Sequence, residues 1–551
     1  MPMSSLTRRQ MLRGSLALAA GGVLGAPGCA AIPRRSHGDT KQRPNIVLLW
    51  IDQQRHPQHW PEGFAEAHLP ADQRLMRHGL SFRRAYTAAA QCAPSRATFL
   101  TGTYPTTHGV TNTMPSPLLP LQSFQHNLVR MMADAGYRVA YKGKWHLSVP
   151  VRVGAPAVYA VDEPPWSRAD IAHLAEAYGV PGWNPPDAGT TEFSLSTLGG
   201  GKADNDGRIL SGATAGTTGQ TPGWGECALE FLERYASSDR GRPFCLFVSL
   251  VNPHDISVFP RLYAEAGYRL EEFRGLGIPL PGNAHDSLET KPRIQRLFRD
   301  YFDTPEQGGA LPSPQDRLDY VNFYAYLQKL VDEHVGALLD GLESLDLVED
   351  TIVVRFSDHG EQGLSHGLRQ KMFSAYEETI HVPLVVSNPQ LFPEPVQTDA
   401  FASLLDLLPT IAALGKVPEA AIARTGCKGV DLGPVLRDPE ATVQDSVLFS
   451  YDDWFGPGFQ SQALSVPAHI RAVREGPWTY CVYFTANGDA FEYELYNLDD
   501  DPLQLQNLAH RVPSPDANAE EERRRLHAML TRKMSRADAL PGGFAWRDDR
   551  S

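Results

Sequence analysis

Cysteine is scarce. The 551 residues hold six, Cys29, Cys92, Cys227, Cys245, Cys427 and Cys481. None forms a CxxC pair or a zinc-ligand spacing, which excludes a thiolate metal scaffold and a small disulfide-stapled fold. Cys427 and Cys481 share the C-terminal stretch and are a candidate pair if the chain reaches an oxidising compartment. Basic residues are outnumbered, 51 against 64 acidic, a formal charge of -13. That balance excludes nucleic acid as a partner of the chain as a whole, because phosphate binding needs clustered Lys and Arg. It leaves open a charged small substrate in a locally basic site. Beyond the N-terminus no apolar run reaches the length of about 18 residues that a membrane span needs. The 47 glycines and 44 prolines show no triplet period, which excludes collagen and predicts long irregular loops. No internal repeat is visible.

What is present is enough for a large core, with 42% hydrophobic and 21% charged residues. Residues 1–31 read as an address rather than fold. Thr7-Arg8-Arg9-Gln10-Met11-Leu12 precedes a short apolar run from Leu16 to Leu24, and this resembles a Tat export signal, which implies the Tat translocon as a partner and a periplasmic destination. Cys29 after Ala26-Pro27-Gly28 has the small-residue setting of a lipid-anchor site, although Pro27 fits that pattern poorly; simple cleavage nearby is the other reading. Residues 32–43 are a polar linker.

Folded sequence begins at 44. Asn45 to Ile51, Phe244 to Val251 and Thr351 to Phe356 are continuous apolar runs, the pattern of parallel strands buried on both faces. They end in Asp52-Gln53, in Asn252-Pro253-His254-Asp255 and in Ser357-Asp358-His359-Gly360. Helical spacing marks 126–136 and, most strongly, 316–345, whose His334 reads as a core or boundary residue. A strand follows at Tyr137 to Tyr141. Alternation of strands and helices predicts an α/β fold with a mostly parallel central sheet. Residues 150–225 read as a loop-rich insertion near the site. From about 441 onward, four short strands (Ser446 to Tyr451, Ile470 to Arg474, Thr479 to Phe484, Phe491 to Tyr496) and a helix at 518–536 predict a smaller antiparallel α+β subdomain. The catalytic domain is thus expected over 44–440 and the subdomain over 441–551.

The most specific stretch is Cys92-Ala93-Pro94-Ser95-Arg96-Ala97-Thr98-Phe99-Leu100-Thr101-Gly102. Pro94 suits a first helical residue, which sets Cys92 just before a helix, where free N–H groups lower a thiol pKa and attract anions. By itself this is also compatible with a buried structural Cys or a nucleophilic Cys hydrolase.

Cys92-x-Pro94-Ser95-Arg96 with Thr101-Gly102 resembles the signature of the type I sulfatases, in which this Cys is oxidised to Cα-formylglycine by a maturase. Gly143-Lys144-Trp145-His146-Leu147, Pro253-His254, Ser357-Asp358-His359-Gly360-Glu361, Lys371 and the run Glu494-Leu495-Tyr496-Asn497-Leu498 to Asn507-Leu508 match the same family. The resemblance spans about residues 44–512 and implies an alkaline-phosphatase-like fold and hydrolysis of a small sulfate monoester. It implies a divalent metal on Asp52, Gln53, Cys92, Asp358 and His359, with Ca²⁺ first and Mn²⁺ second. Arg96 would stabilise the deprotonated diol, and Lys144 and Lys371 would bind sulfate oxygens. His146 is the candidate base and His254 the candidate acid, and these two roles are exchangeable. Many sulfatases carry two adjacent Asp after the first strand and Asn after the later Asp. Asp52-Gln53 and Asp358-His359 look more like choline sulfatases and phosphonate monoester hydrolases of the same superfamily. A phosphonate monoester or phosphodiester hydrolase is therefore the rival activity, and a silent binding protein the rival class if Cys92 stays unconverted.

Overall fold

The computed structural model describes residues 43–113, 126–148, 168–184, 187, 201–212, 225–238, 240–455, 458–543 and 546. The candidate export signal, Cys29 and parts of the 150–225 insertion lie outside them. Among the described residues eleven strands fall into two sheets. The central one contains β1 (Asn45–Ile51), β2 (Gly79–Tyr86), β3 (Arg138–Gly143), β4 (Phe244–Leu250), β5 (Thr351–Ser357), β6 (Leu384–Ser387) and β7 (Val396–Ser403), in the order β3-β4-β1-β5-β6-β2-β7. The pairs β3–β4, β4–β1, β1–β5 and β2–β7 are parallel, and only the short β6 runs against its neighbours.

Every residue of β1 is buried, as its unbroken apolar run predicts. Alternate side chains serve opposite faces. Ile46, Leu48 and Trp50 join Phe99, Leu100 and Tyr141 in one core cluster. Val47, Leu49 and Ile51 join Phe231, Leu232, Val335 and Leu338 in the other. The Cys92–Thr101 helix therefore covers one face and the long Pro314–Ser344 helix the other. His334 is half-buried on that helix, as a boundary residue should be. No helix among the described residues is long and apolar enough to cross a membrane.

The second sheet is antiparallel, in the order β11-β10-β9-β8, from β8 (Ser446–Tyr451), β9 (His469–Glu475), β10 (Trp478–Phe484) and β11 (Phe491–Asn497). The Ala517–Ala537 helix packs against it. Its strand β11 carries a fully buried carboxylate, Glu494, which accepts hydrogen bonds from Tyr376 (2.8 Å), Tyr483 (2.6 Å) and Tyr496 (2.7 Å). Tyr376 belongs to the segment after Lys371, so this cage fastens the second sheet to the first. The Glu494-to-Asn507 run noted in the sequence is thus a structural clamp: Asn507 Oδ1 accepts from Leu495 N–H (3.1 Å) while its amide donates to Thr290 O (2.8 Å).

Three expectations change. The helix starts at Cys92 itself, with Gln91 as its cap residue, so Pro94 is third in the helix rather than first. Cys427 and Cys481 are both free, as are Cys92, Cys227 and Cys245. Strands β2, β6 and β7 were not foreseen, because β2 interleaves Arg83 and Arg84 and β6 is only four residues long.

Beneath the Cys92–Thr101 helix lies His108, which is buried. Val110 N–H donates to its Nδ1 (3.1 Å), so the proton sits on Nε2, which contacts Thr98 Oγ1 at 3.0 Å. Burial pushes this imidazole down from 6.5 to about 3. The unfolded chain binds a proton near 6.5 and the folded chain does not, so the stability of the neutral ring is complete above that value and falls below it. Between pH 7 and pH 5 His108 should cost about 2 kcal/mol. Urea unfolding at both pH values checks this: His108→Asn should show a shallower loss than the unsubstituted protein, and equal losses would refute it.

Candidate active site

Because β1, β3, β4 and β5 run parallel, the residues following them emerge on one edge of the sheet. That edge gathers Asp52-Gln53, Lys144, His254 and Asp358-His359. The N-terminus of the Cys92–Thr101 helix meets them from one face, and Lys371 arrives from the segment after β5. All ten of the residues singled out in the sequence are buried.

Cys92 Sγ lies 3.1 Å from His359 Nε2, 3.6 Å from Asp52 Oδ1 and 3.9 Å from Lys144 Nζ. The remaining letters of its motif hold that position. Ser95 Oγ donates to Asp358 O (2.6 Å). Arg96 lies between the two strand ends, donating to Asp52 Oδ2 (2.6 Å), Asp358 Oδ2 (3.1 Å), Lys144 O (2.7 Å) and Ser249 Oγ (2.9 Å). Gly102 ends the helix at φ +71°, where a Cβ would come within 2.5 Å of Cys427 Sγ. Lys144 Nζ pairs with Asp52 Oδ2 at 2.8 Å. It follows Gly143, at φ +90°, where a Cβ would stand 2.2 Å from Ser249 O.

The two carboxylates divide their oxygens. Each Oδ2 meets a cation, whereas each Oδ1 turns toward the sulfur and the imidazole. His359 Nε2 lies 4.0 Å from Asp52 Oδ1 and 3.8 Å from Asp358 Oδ1. Donor atoms of Asp52, Cys92, Asp358 and His359 all fall within 4.8 Å of one another. His359 Nδ1 sits 2.9 Å from Gly360 O, an acceptor, so Nδ1 carries the proton and the Nε2 lone pair faces the group. Two carboxylate oxygens, an imidazole lone pair and the side chain of position 92 are a donor set that fits a divalent cation. Gln53 stands beside them: its N–H donates to Asp358 Oδ1 (3.1 Å), and Lys371 Nζ donates to its Oε1.

At Asp52, Cys92 and His359 burial is the largest single influence, and neighbouring charges together outweigh it. Burial alone would raise Asp52, but Lys144, His254, Arg96 and His359 hold it well below the usual carboxylate range. Burial and Asp52 push the Cys92 thiol up, yet Lys144, Lys371 and His359 outweigh them and lower it. Burial lowers His359, and the charges of Asp358 and Cys92 reverse this and raise it. A proton and a metal ion would compete for the same Nε2. Burial and then Lys144 drive both His146 and His254 well below their ordinary value, so both rings are neutral at neutral pH.

Neither nitrogen of His146 has a hydrogen-bond partner among the described residues, nor does His254 Nδ1. His146 sits at φ +55°, and Trp145 and His146 N–H groups both donate to Asp187 Oδ1 at 2.8 Å. Asp187, Ser249, Tyr320, Tyr324, Glu361 and Gln370 support the site and were not assigned from the sequence. Glu361 was visible in the Ser357-to-Glu361 run. The others carry no local signal, since they reach the site only through tertiary packing.

Known proteins bear on this geometry. The Sulfatase family profile matches residues 44–417, and that of the N-sulphoglucosamine sulphohydrolase C-terminal region matches 364–535. A choline-sulfatase of Rhizobium meliloti is 29% identical over 495 residues, 86% of this chain and 84% of the relative. An ulvan-active sulfatase of Formosa agariphila is 26% identical over 483 residues, 85% and 78% of the two chains. Among solved structures, a protein in complex with its substrate D-glucosamine-2-N,6-O-disulfate superposes with a TM-score of 0.62 at 19% identity, covering 93% of this chain and all of that one. A phosphonate monoester hydrolase of Agrobacterium radiobacter gives 0.61 at 20% identity, covering 90% and 96%. These structures share the fold, and the profile match covers most of the chain together with the Cys92 signature. The chain belongs to the sulfatase family, the sulfuric ester hydrolases.

Proposed function

We propose that this protein is an exported sulfatase that hydrolyses a small sulfate monoester to an alcohol and inorganic sulfate, using formylglycine formed from Cys92 and one divalent cation. The observation that carries the reading is the position of Cys92 Sγ, at the meeting point of Asp52, Asp358 and His359 and within reach of Lys144. An aldehyde at position 92, once hydrated, supplies one hydroxyl to attack sulfur and a second whose deprotonation expels sulfate. Asp52, Gln53, Asp358, His359 and position 92 would hold the cation, which would supply the charge that makes such a hydroxyl acidic. Ca²⁺ suits the oxygen donors; the imidazole would also accept Mn²⁺.

The chain's own residues supply the rest. Arg96, fixed by four hydrogen bonds, cannot turn toward other partners and places its charge beside position 92 and both carboxylates. Lys144 and Lys371 add the positive field that sulfate oxygens require. His146, with both ring nitrogens unpartnered among the described residues, and His254, with Nδ1 unpartnered, are neutral and can take up a proton at the second hydroxyl and return one to the leaving oxygen. Burial and then the Lys144 charge depress both rings, and a bound anionic ester would oppose the second of these, in the direction that an acid needs.

A second reading has its own support. Asp52-Gln53 with Asp358-His359, and the phosphonate monoester hydrolase among the fold neighbours, favour a phosphonate monoester or phosphodiester substrate. Comparing sulfate and phosphonate esters of one leaving group separates the two. We expect the higher kcat/KM on the sulfate, and a strong phosphonate preference would overturn the choice.

Conversion of Cys92 is read by peptide mass spectrometry after expression with the formylglycine-generating maturase. The expected peptide is about 18 Da lighter than the thiol form, and an unmodified thiol would support a silent binder instead. In parallel, Cys92→Ser should fold and lose at least about 10³-fold in kcat, because a serine sulfate has no second hydroxyl to expel it.

Residues 1–31 support Tat delivery to the periplasm, which carries proteins already folded and would let maturation precede export. An anchor at Cys29 remains the alternative to cleavage nearby. Replacing Arg8 and Arg9 by Lys should retain the protein in the cytoplasm; undiminished periplasmic delivery would sink this reading.

A further inference from the structure

Glu361 is fully buried and has no ion-pair partner among the described residues. Its charge is met by donors alone. Oε1 accepts from Tyr320 O–H (2.8 Å), Gln370 N–H (2.8 Å) and Gly363 N–H (3.1 Å), and Oε2 accepts from the side-chain amide of Gln53. Gln53 is therefore held between two groups of opposite hydrogen-bonding capacity. A carboxylate can only accept and an ammonium can only donate. Glu361 must take the Gln53 NH₂, and Lys371 Nζ must meet the Gln53 Oε1. Gln370 Oε1 agrees with this assignment, accepting from the same NH₂ at 3.2 Å. The Gln53 backbone is equally fixed: its φ is +68°, its N–H donates to Asp358 Oδ1, and its carbonyl accepts from Tyr324 O–H at 2.7 Å.

From this the structure assigns Glu361 as a positioning residue that orients the Gln53 amide, so that its carbonyl oxygen rather than its NH₂ is turned to Lys371 and the cation-binding side of the site. The same contact explains why position 53 is an amide. A carboxylate there would face Glu361 across a hydrogen-bond distance with no proton between them, and one of the two would be forced to take one up.

This rests on the proposed function for the bound cation and for Gln53 as one of its ligands; the hydrogen-bond direction at Gln53 does not. The test is an exchange cycle: Gln53→Glu, Glu361→Gln, and the double variant, which keeps one amide and one carboxylate with the bond direction reversed. Three readouts are taken on the full chain: Tm without added metal, the CaCl₂ concentration at the midpoint of the Tm shift, and kcat separately from KM. Glu361→Gln should weaken the CaCl₂ midpoint and kcat by about 10- to 100-fold with KM little changed. Gln53→Glu should lower Tm without metal, and the double variant should recover most of that loss. The metal-free Tm cycle reads the hydrogen-bond direction whatever the substrate, so a wrong substrate class leaves it intact. If Glu361→Gln cannot be recovered folded, the comparison of Gln53→Glu with the double variant decides. A double variant no more stable than Gln53→Glu, or a folded Glu361→Gln with an unchanged CaCl₂ midpoint and kcat, would overturn the assignment.

Discussion

Two carboxylates and two cations share a volume from which water is excluded, and the site depends on their balance. Asp52, Asp358, Arg96 and Lys144 have no measurable exposure. Any one of them without its partners would carry an uncompensated buried charge, at a cost of about 3–5 kcal/mol. The Cys92–Thr101 helix can therefore dock in one register only, with Arg96 between the ends of β1 and β5. That docking delivers Cys92 to Asp52, Asp358 and His359, the candidate metal ligands, as a by-product. Trp50 packs under the guanidinium at 5.7 Å and against Phe99 at 5.3 Å, so the apolar and ionic contacts specify the same register.

The ion set also partitions the chemistry. Each aspartate uses one oxygen to neutralise a cation and offers the other to the centre, so a single pair of residues holds the helix in place and supplies the candidate metal ligands. The buried His146 and His254 feel the same ions. Burial beside Lys144 keeps them neutral, and no protein donor or acceptor among the described residues occupies His146. An unsatisfied buried ring is costly in the free protein, and a substrate's oxygens would relieve that cost.

Support extends outward by hydrogen bonds of fixed direction. Tyr320, Glu361, Gln53 and Lys371 form one such chain, and Val110, His108, Thr98 and Pro94 form another beneath the helix. The Glu494 cage does the same for the second sheet, whose strand β8 reaches the first domain through Ser450 N–H and Ala88 O at 3.0 Å. Glu361 and Glu494, which have no cation partner among the described residues, are each satisfied by several donors, and this fixes the geometry of the groups around them.

The sequence alone determined the buried strands β1, β4 and β5, the long Pro314–Ser344 helix and the whole antiparallel subdomain, and it singled out the ten residues that the fold brings together as the candidate site. Those features are written locally, as apolar runs, helical spacing and a motif whose polar residues stand at strand ends. Only the tertiary structure decided that Cys92 opens its helix, that Cys427 and Cys481 stay apart as thiols, and that β2, β6 and β7 complete the sheet. It alone revealed Ser249, Asp187, Tyr320 and Gln370, and gave Glu361 its partner 308 residues away. The reason is physical: periodicity records which face of an element is buried, whereas a hydrogen-bond partner is chosen by the three-dimensional meeting of segments that carry no mark of one another in the chain.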